Sequence, residues 1–374
     1  MIHFISEGGA VKRYVCDSAD EIINFPKVTA GSTVQVITTG DVYTIDETGE
    51  WKLTSSLPSN GAGTPGKDGY TPIKGTDYFT EEDKNEIAKT VLNMVKTVPE
   101  IDTELGNFYA NGVAIQIDDA GNNEVLVSYN LDVNTVKQEK VPYNYRFFGG
   151  GKGLDTYASY PATSIIMNSG KVKSLVGGSL GAGNVGSSTI IVNGGTITEG
   201  VGGGGSNNKD TKDLSGNTTG IANIFFNEGK SLTLYGGATT GLSHVGQSNI
   251  VINGGTIDWV TAGGSNGTTS VSNILINDGT FKVVQGVNRG SICMSTITVN
   301  NGIITKGLYA GGETEDSSVN GTITRSSLNL LGGTFAKVVS GTSNGIETNT
   351  FCTGTYKEGV ISEEVANNLN LSKI

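Results

Sequence analysis

From residue 163 onward the chain repeats itself, and that repeat limits the folds open to it. TSIIMNSGKV (163–172), STIIVNGGTI (188–197), ANIFFNEGKSL (222–232), SNIVINGGTI (248–257), SNILINDGTF (272–281), STITVNNGII (295–304) and SSLNLLGGTF (326–335) share one pattern. An asparagine recurs at Asn168, Asn193, Asn227, Asn253, Asn277 and Asn300, and Leu331 replaces it in the seventh copy. Successive asparagines are 25, 34, 26, 24 and 23 residues apart, and Leu331 follows 31 residues after Asn300. Insertions thus lengthen the third and seventh copies.

Each copy alternates like a half-buried strand, as at Ile190, Val192, Ile250 and Ile252. The Asn-x-Gly step breaks the strand, since asparagine and glycine tolerate positive φ. Ile197, Ile257, Phe281 and Phe335 then point inward again, and a glycine pair turns the chain a second time. About 24 residues per turn fits a three-sided parallel β-helix. Such coils bury a core only by stacking. Seven of them at ~4.8 Å each make a shaft about 34 Å long. Stacked asparagines would hydrogen-bond as a ladder along one corner. An antiparallel β-sandwich has turn signals at similar spacing; the fixed Asn-x-Gly corner favours the solenoid, placed at 148–345.

The preceding regions differ in kind. Residues 1–56 read as a small α+β module: a capping box at Ser18-Ala19-Asp20-Glu21 opens a short helix reaching Phe25. STVQVITTG and DVYTID then form a hairpin beneath Trp51. Residues 57–79 are a Gly/Pro-rich linker in which Gly63-Thr64-Pro65, Gly66-Lys67-Asp68 and Gly69-Tyr70-Thr71 read as collagen-type triplets. Only glycine fits a triple-helix axis, so the triplets hint at three chains side by side, although a plain flexible linker has the same composition. A helix over 80–96 carries Ile87, Val91, Met94 and Val95 on one face. So short a helix needs a partner for that stripe, either the neighbouring domain or, as the triplets favour, two sister helices. A small β-region follows at 97–147, with a hairpin turning near Asp119-Ala120-Gly121-Asn122, and 346–374 cap the shaft through a short helix in SEEVANNL.

The predominantly all-β chain has a net charge of −11, which argues against nucleic acid as its main partner. With 56 glycines and few charged residues, it is unlike an ordinary enzyme. No stretch is long and apolar enough to insert in a membrane, and the N-terminus lacks a signal-peptide core, which predicts synthesis in a cytosol. Cys16, Cys293 and Cys352 share no zinc-site spacing and form no obvious pair. His3 and His244 assemble no triad. GGGKG (149–153) and GVGGGG (200–205) lack the strand-to-helix setting of a phosphate loop, so no cofactor is implied.

The catalytic alternative is carbohydrate cleavage by two carboxylates. The candidates are Glu199, Asp210, Asp213, Asp258, Glu313, Glu315 and Asp316, of which Glu199 and Asp258 occupy equivalent strands, although solvated acids on a soluble shaft explain them as well. Trp259, beside Asp258, reads as a sugar platform or, more simply, as a core residue.

GTPGKDGYTPIKGTDYFTEEDKNEI (63–87) resembles the collagen-like joint, GKDGYTP…GTDYFT, common in tail-fibre and baseplate-associated proteins of bacteriophages infecting Gram-positive and gut bacteria. Residues 11–53 are similar to small N-terminal modules of phage structural proteins. The resemblance leaves the repeats uncovered. It implies a virion structural fibre, a homotrimer attached to another virion protein by its N-terminal part. The displayed solenoid would bind a host-surface glycan or protein. A head-mounted fibre, a tailspike-like polysaccharide depolymerase and a bacterial surface adhesin are the alternatives.

Overall fold

The computed structural model describes residues 3–8, 11–25, 28–55, 98–152, 158–181, 183–206, 218–238, 243–312, 321–340 and 351–374. The chain divides into two compact units, Met1–Lys89 and Thr90–Ile374. The linker at 57–79 and the helix face of Ile87, Val91, Met94 and Val95 lie outside the described residues.

In the first unit, strands His3–Gly8, Val11–Cys16, Thr33–Val36, Val42–Ile45 and Trp51–Ser55 form one sheet in sequence order. Val11–Cys16 and Thr33–Val36 are parallel, the other neighbours antiparallel. A parallel pair demands a crossover, and the 3-10 helix Ala19–Asn24 lies within it. Its last turn delivers Phe25, which meets Tyr14 and Trp51 edge-on at 5.2 and 5.7 Å between ring centres. Together with Cys16, Ile22, Val34 and Val36 these rings form the unit's core. The expected capping box does not form. In the tighter 3-10 turn the Glu21 N–H already donates to the Ser18 carbonyl at 3.2 Å, so the Ser18 hydroxyl is left without that donor.

In the second unit each repeat supplies a long strand and a short one. Ala158–Met167, Gly183–Val192, Thr218–Phe226, His244–Ile252, Thr268–Ile276, Ser291–Val299 and Thr322–Leu330 stack within a 12-stranded sheet. Lys171–Val176, Thr196–Gly202, Lys230–Tyr235, Thr256–Thr261, Thr280–Gln285 and Ile303–Tyr309 stack within an 11-stranded one. Every repeat pairs in parallel with the next, Ile190 beside Ile224, Ile250 and Ile274 in turn, which is the pairing of a β-solenoid and not of a sandwich. From one turn, Val245, Ser248, Ile250, Ile252, Ile257 and Val260 face inward, and all are buried.

The hydrogen-bonded sheets number two, where a three-sided coil predicts three. The remaining side comes from a bend within each long strand. Pairing skips the column Pro161, Gly186, Gly220, Gly246, Ser270, Cys293 and Thr324, and the inward residues on either side, such as Val245 and Ser248, are three apart instead of two. A proline, lacking an N–H, is tolerated in that unpaired column.

The Asn-x-Gly corner is also finer in detail than the sequence reading. Positive φ falls on the glycine two residues after each asparagine, for example +88° at Gly255 and +94° at Gly195, while none of the corner asparagines has positive φ. A second glycine requirement is steric. A Cβ on Gly177 or Gly203 would sit 2.6 Å from the Ser188 hydroxyl and 2.7 Å from the Ala222 methyl, because the long strand's small-residue column packs directly on that backbone.

The described part of the region expected at 97–147, residues 98–147, hydrogen-bonds into the same two sheets. Ile115–Gly121, Glu124–Asn130 and Val136–Pro142 form an antiparallel end, joined where Ile115 and Ile117 pair with Ile165 and Met167. Asn107–Tyr109 and Arg146–Phe148 extend the other sheet. The hairpin turns at Asn122 and Asn123, a little beyond the expected position. Their φ of +54° and +62° gives the two-residue turn that matches strand twist. Asp119 lies before the turn, pairing with Val125, and its carboxylate accepts from the Gly121 N–H at 3.1 Å and the Tyr143 hydroxyl at 2.5 Å. At the other end the Ser362 hydroxyl caps helix Glu363–Asn368 by accepting from the Val365 N–H at 3.3 Å, and Ala366, Leu369 and Leu371 join the common core.

Candidate functional site

Glu199 and Asp258 both project from the short-strand sheet, two strands apart. Two strand spacings are about 10 Å, beyond the ~5–5.5 Å of a nucleophile and its acid and at the far limit of an inverting pair. Each carboxylate is also engaged by its own cations. Arg146 forks onto Glu199 through Nε–Oε2 at 2.8 Å and Nη2–Oε1 at 3.0 Å, and Lys173 Nζ adds a third contact at 3.2 Å. Partial burial pushes the Glu199 carboxyl up, but the hydrogen bonds and charges of Arg146 and Lys173 outweigh it and hold the group below its ordinary value. A carboxyl held ionised in this way is poorly suited to donate a proton to a leaving group. Asp258 pairs with Lys282 at 2.5 Å.

Trp259 is half-buried and faces outward, with Lys306 Nζ 5.3 Å from its ring centre. Its outer face is therefore occupied by a cation and not left open as a platform. Lys152 of the GGGKG run is likewise engaged, donating to Asp102 at 2.8 Å, and the neighbouring glycines serve a corner: Gly149 N–H donates to the Val176 carbonyl at 2.8 Å. Among the described residues no group of three His, Cys, Asp or Glu side chains gathers as metal ligands. His244 Nδ1 lies 2.8 Å from the Thr268 hydroxyl on the outer face of the long strands. Cys16 and Cys352 are buried, which raises both thiols above their ordinary value, while Cys293 is exposed. No described helix is long and apolar enough to cross a membrane. The insertion tips at 207–217 and 313–320, with the candidates Asp210, Asp213, Glu313, Glu315 and Asp316, lie outside the described residues.

The corner asparagines form one continuous chain of amides. Asn193 donates through Nδ2 to the side-chain oxygen of Asn168, Asn227 to Asn193, Asn253 to Asn227, Asn277 to Asn253 and Asn300 to Asn277, at 2.7–2.9 Å. Every bond points the same way, and the chain ends where Asn168 donates to Asp118 at 3.0 Å. Leu331 continues the column without an amide.

Sequence reading missed a second ladder. Asn249 donates to Asn223 at 3.0 Å and Asn273 to Asn249 at 3.2 Å, on the outer face of the long strands. Its signal was present as the asparagine in ANIFF, SNIVI and SNILI, four residues before the corner asparagine in each copy. On one side of it runs an apolar column that sequence reading also overlooked. Ile166, Ile191, Phe225, Val251 and Leu275 pair in direct register, all outward and none fully buried. On the other side the exposed Ile221 and Met294 flank it.

Comparison with protein families, curated proteins and solved structures finds no match to this chain.

Proposed function

We propose that the chain is a structural fibre of a bacteriophage virion, a homotrimer held to the particle through residues 1–56, whose solenoid is displayed for adhesion to a host-surface glycan or protein. The observation that carries this reading is the continuous stacking of parallel repeats on one apolar core, closed at its end by the helix Glu363–Asn368. A stack of this kind is a stiff spacer that presents many equivalent outward positions. Trimeric display would give avidity to individually weak contacts. The collagen-like joint and the oligomerising helix around Ile87, Val91, Met94 and Val95 are the finer parts of the proposal, and they rest on the sequence.

The ion pairs that engage Glu199 and Asp258 support adhesion over depolymerisation. The test is threefold. Light scattering of the purified full chain should give the mass of three copies, and gold-labelled antibody should decorate virions. The protein should bind host cells without releasing polysaccharide fragments. A single-chain mass would remove the trimer. Fragments that vanish in Glu199→Ala or Asp258→Ala would replace adhesion by cleavage.

A further inference from the structure

We infer that the outer face of the long-strand sheet is the surface on which copies of this chain meet. The inference rests on the multi-chain reading above and specifies its contact face. Three observations carry it.

First, the chain carries a net charge of −11, so two copies repel wherever acids face one another. The seven long strands from Ala158–Met167 to Thr322–Leu330 contain no acid, no lysine and a single arginine, Arg325. The short strands carry Lys171, Lys173, Glu199, Lys230, Asp258, Lys282 and Lys306.

Second, five of the seven strands carry an unbroken apolar column, which gives way to Thr298 and Asn329 in the last two. The column from Ile166 to Leu275 continues over five neighbouring strands, and Phe225, Ile221 and Met294 are 38%, 42% and 43% exposed. An apolar band of this extent on a surface marks an interaction site. Its area suits a stable contact. Seven strands at ~4.8 Å, each straight for six residues at ~3.3 Å, make a face of about 700 Å² per copy, close to the ~800 Å² per partner of a standard interface.

Third, the polar column within the face is made of amides and hydroxyls: Asn223, Asn249 and Asn273, continued by Thr189 and Thr296. Such groups donate and accept alike. Away from Arg325, which lies in the last of the seven strands, the face can therefore oppose itself without leaving a charge or a one-sided polar group unmatched, which a foreign partner would have to supply by complementarity.

Phe225 lies at the middle of the apolar column and at the same height on every copy, so in a parallel trimer with these faces turned inward it meets its own counterparts. Because Cys16 and Cys352 are buried, Cys293→Ser leaves no exposed native thiol. In that background Phe225→Cys is compared with Leu232→Cys, a somewhat more exposed position on the short-strand sheet (48%). Both full-length proteins are oxidised with copper–phenanthroline after circular dichroism has confirmed the wild-type fold. The expected result is several-fold more chain-to-chain disulfide from the Phe225→Cys protein. Equal linkage of both, or linkage of neither in a protein of multi-chain mass, overturns this face and leaves the oligomer standing. A wild-type mass of one chain, 38.7 kDa, overturns the face and the oligomer together.

Discussion

The long and short strands of one turn share an interior and differ in what they show outside. Both send aliphatic side chains into the same core, Ile252 and Val260 from one turn being fully buried. Outside, the long strands show amides, hydroxyls and hydrocarbon, whereas the short strands show charges that pair along the stack, Arg146 and Lys173 with Glu199 and Lys282 with Asp258. Stacking alone constrains only the inner face, since each coil must bury its hydrocarbon against the next. The outer faces are free to diverge, and divergence there reports what each side encounters. Water on both sides would not favour hydrocarbon on one of them.

Phe225 and Phe226 make that contrast within two residues. Phe226 is wholly buried and Phe225 is 38% exposed. Phe226→Ala is expected to cost about 3–5 kcal/mol, the loss from a large buried ring plus its cavity. Phe225→Ala should cost less than ~1 kcal/mol when unfolding is measured on separated chains, since exposed positions contribute little. Thermal or urea unfolding of the two variants checks this. Equal losses would mean that Phe225 is part of the core and that the outer face is not a surface.

The amide chain gives the next largest effect. Asn253 sits in mid-ladder, donating to Asn227 and accepting from Asn277 at 2.7 Å each. Asn253→Ala removes both bonds, for an expected loss of about 1–2 kcal/mol. Asn300→Ala removes one bond, at the end of the chain, and should cost about half as much. Unfolding midpoints that do not rank the two in this order would break the ladder's claim to be a continuous stabilising element.

Much of this was legible from periodicity. Strand alternation and the recurring asparagine specify parallel stacking, because only in-register copies bring Asn168, Asn193 and Asn227 together. What was not legible came from geometry without a strong composition signal. The bend at Gly186 and Gly220 replaces a third sheet, and nothing in an isolated Gly distinguishes a bend from a turn. Which residue of the Asn-x-Gly step carries positive φ was left open, since both types tolerate that region, and glycine carries it. The cations of Glu199 lie 53 and 26 positions away in sequence, so its ion pairs could not be read locally. The outward column of Ile191, Phe225 and Val251 was hidden because every strand there is hydrophobic on both faces, as IIV and FF show.

A smaller effect separates a charge that is held from one that is merely paired. Glu199 has a carboxyl lowered in the folded state by Arg146 and Lys173, against the upward push of partial burial. A lowered folded value means that its contribution is complete above the ordinary glutamate range and fades as pH falls through the folded value. Glu199→Gln should therefore destabilise most near neutral pH, by no more than ~1 kcal/mol because the side chain is partly exposed, and the difference from wild type should vanish on acidification. Unfolding curves of both proteins between pH 7 and pH 3 test the sign. A difference that grows towards acid would mean that the carboxyl is raised and available as a proton donor.

Asp258 is expected to give the smallest response. Its ion-pair partner among the described residues is Lys282, whose side chain is 58% exposed, and exposed pairs of this kind contribute ~0–1 kcal/mol. Asp258→Asn should leave the unfolding midpoint almost unchanged and flatten any weak salt dependence of the wild type, since screening acts on the same pair. If the variant instead abolished a host-cell effect while stability held, Asp258 would belong to a working site and the charged sheet would be the functional face. The silent outcome leaves the short-strand charges as solvation, and function is then sought on the uncharged face and at the loop tips.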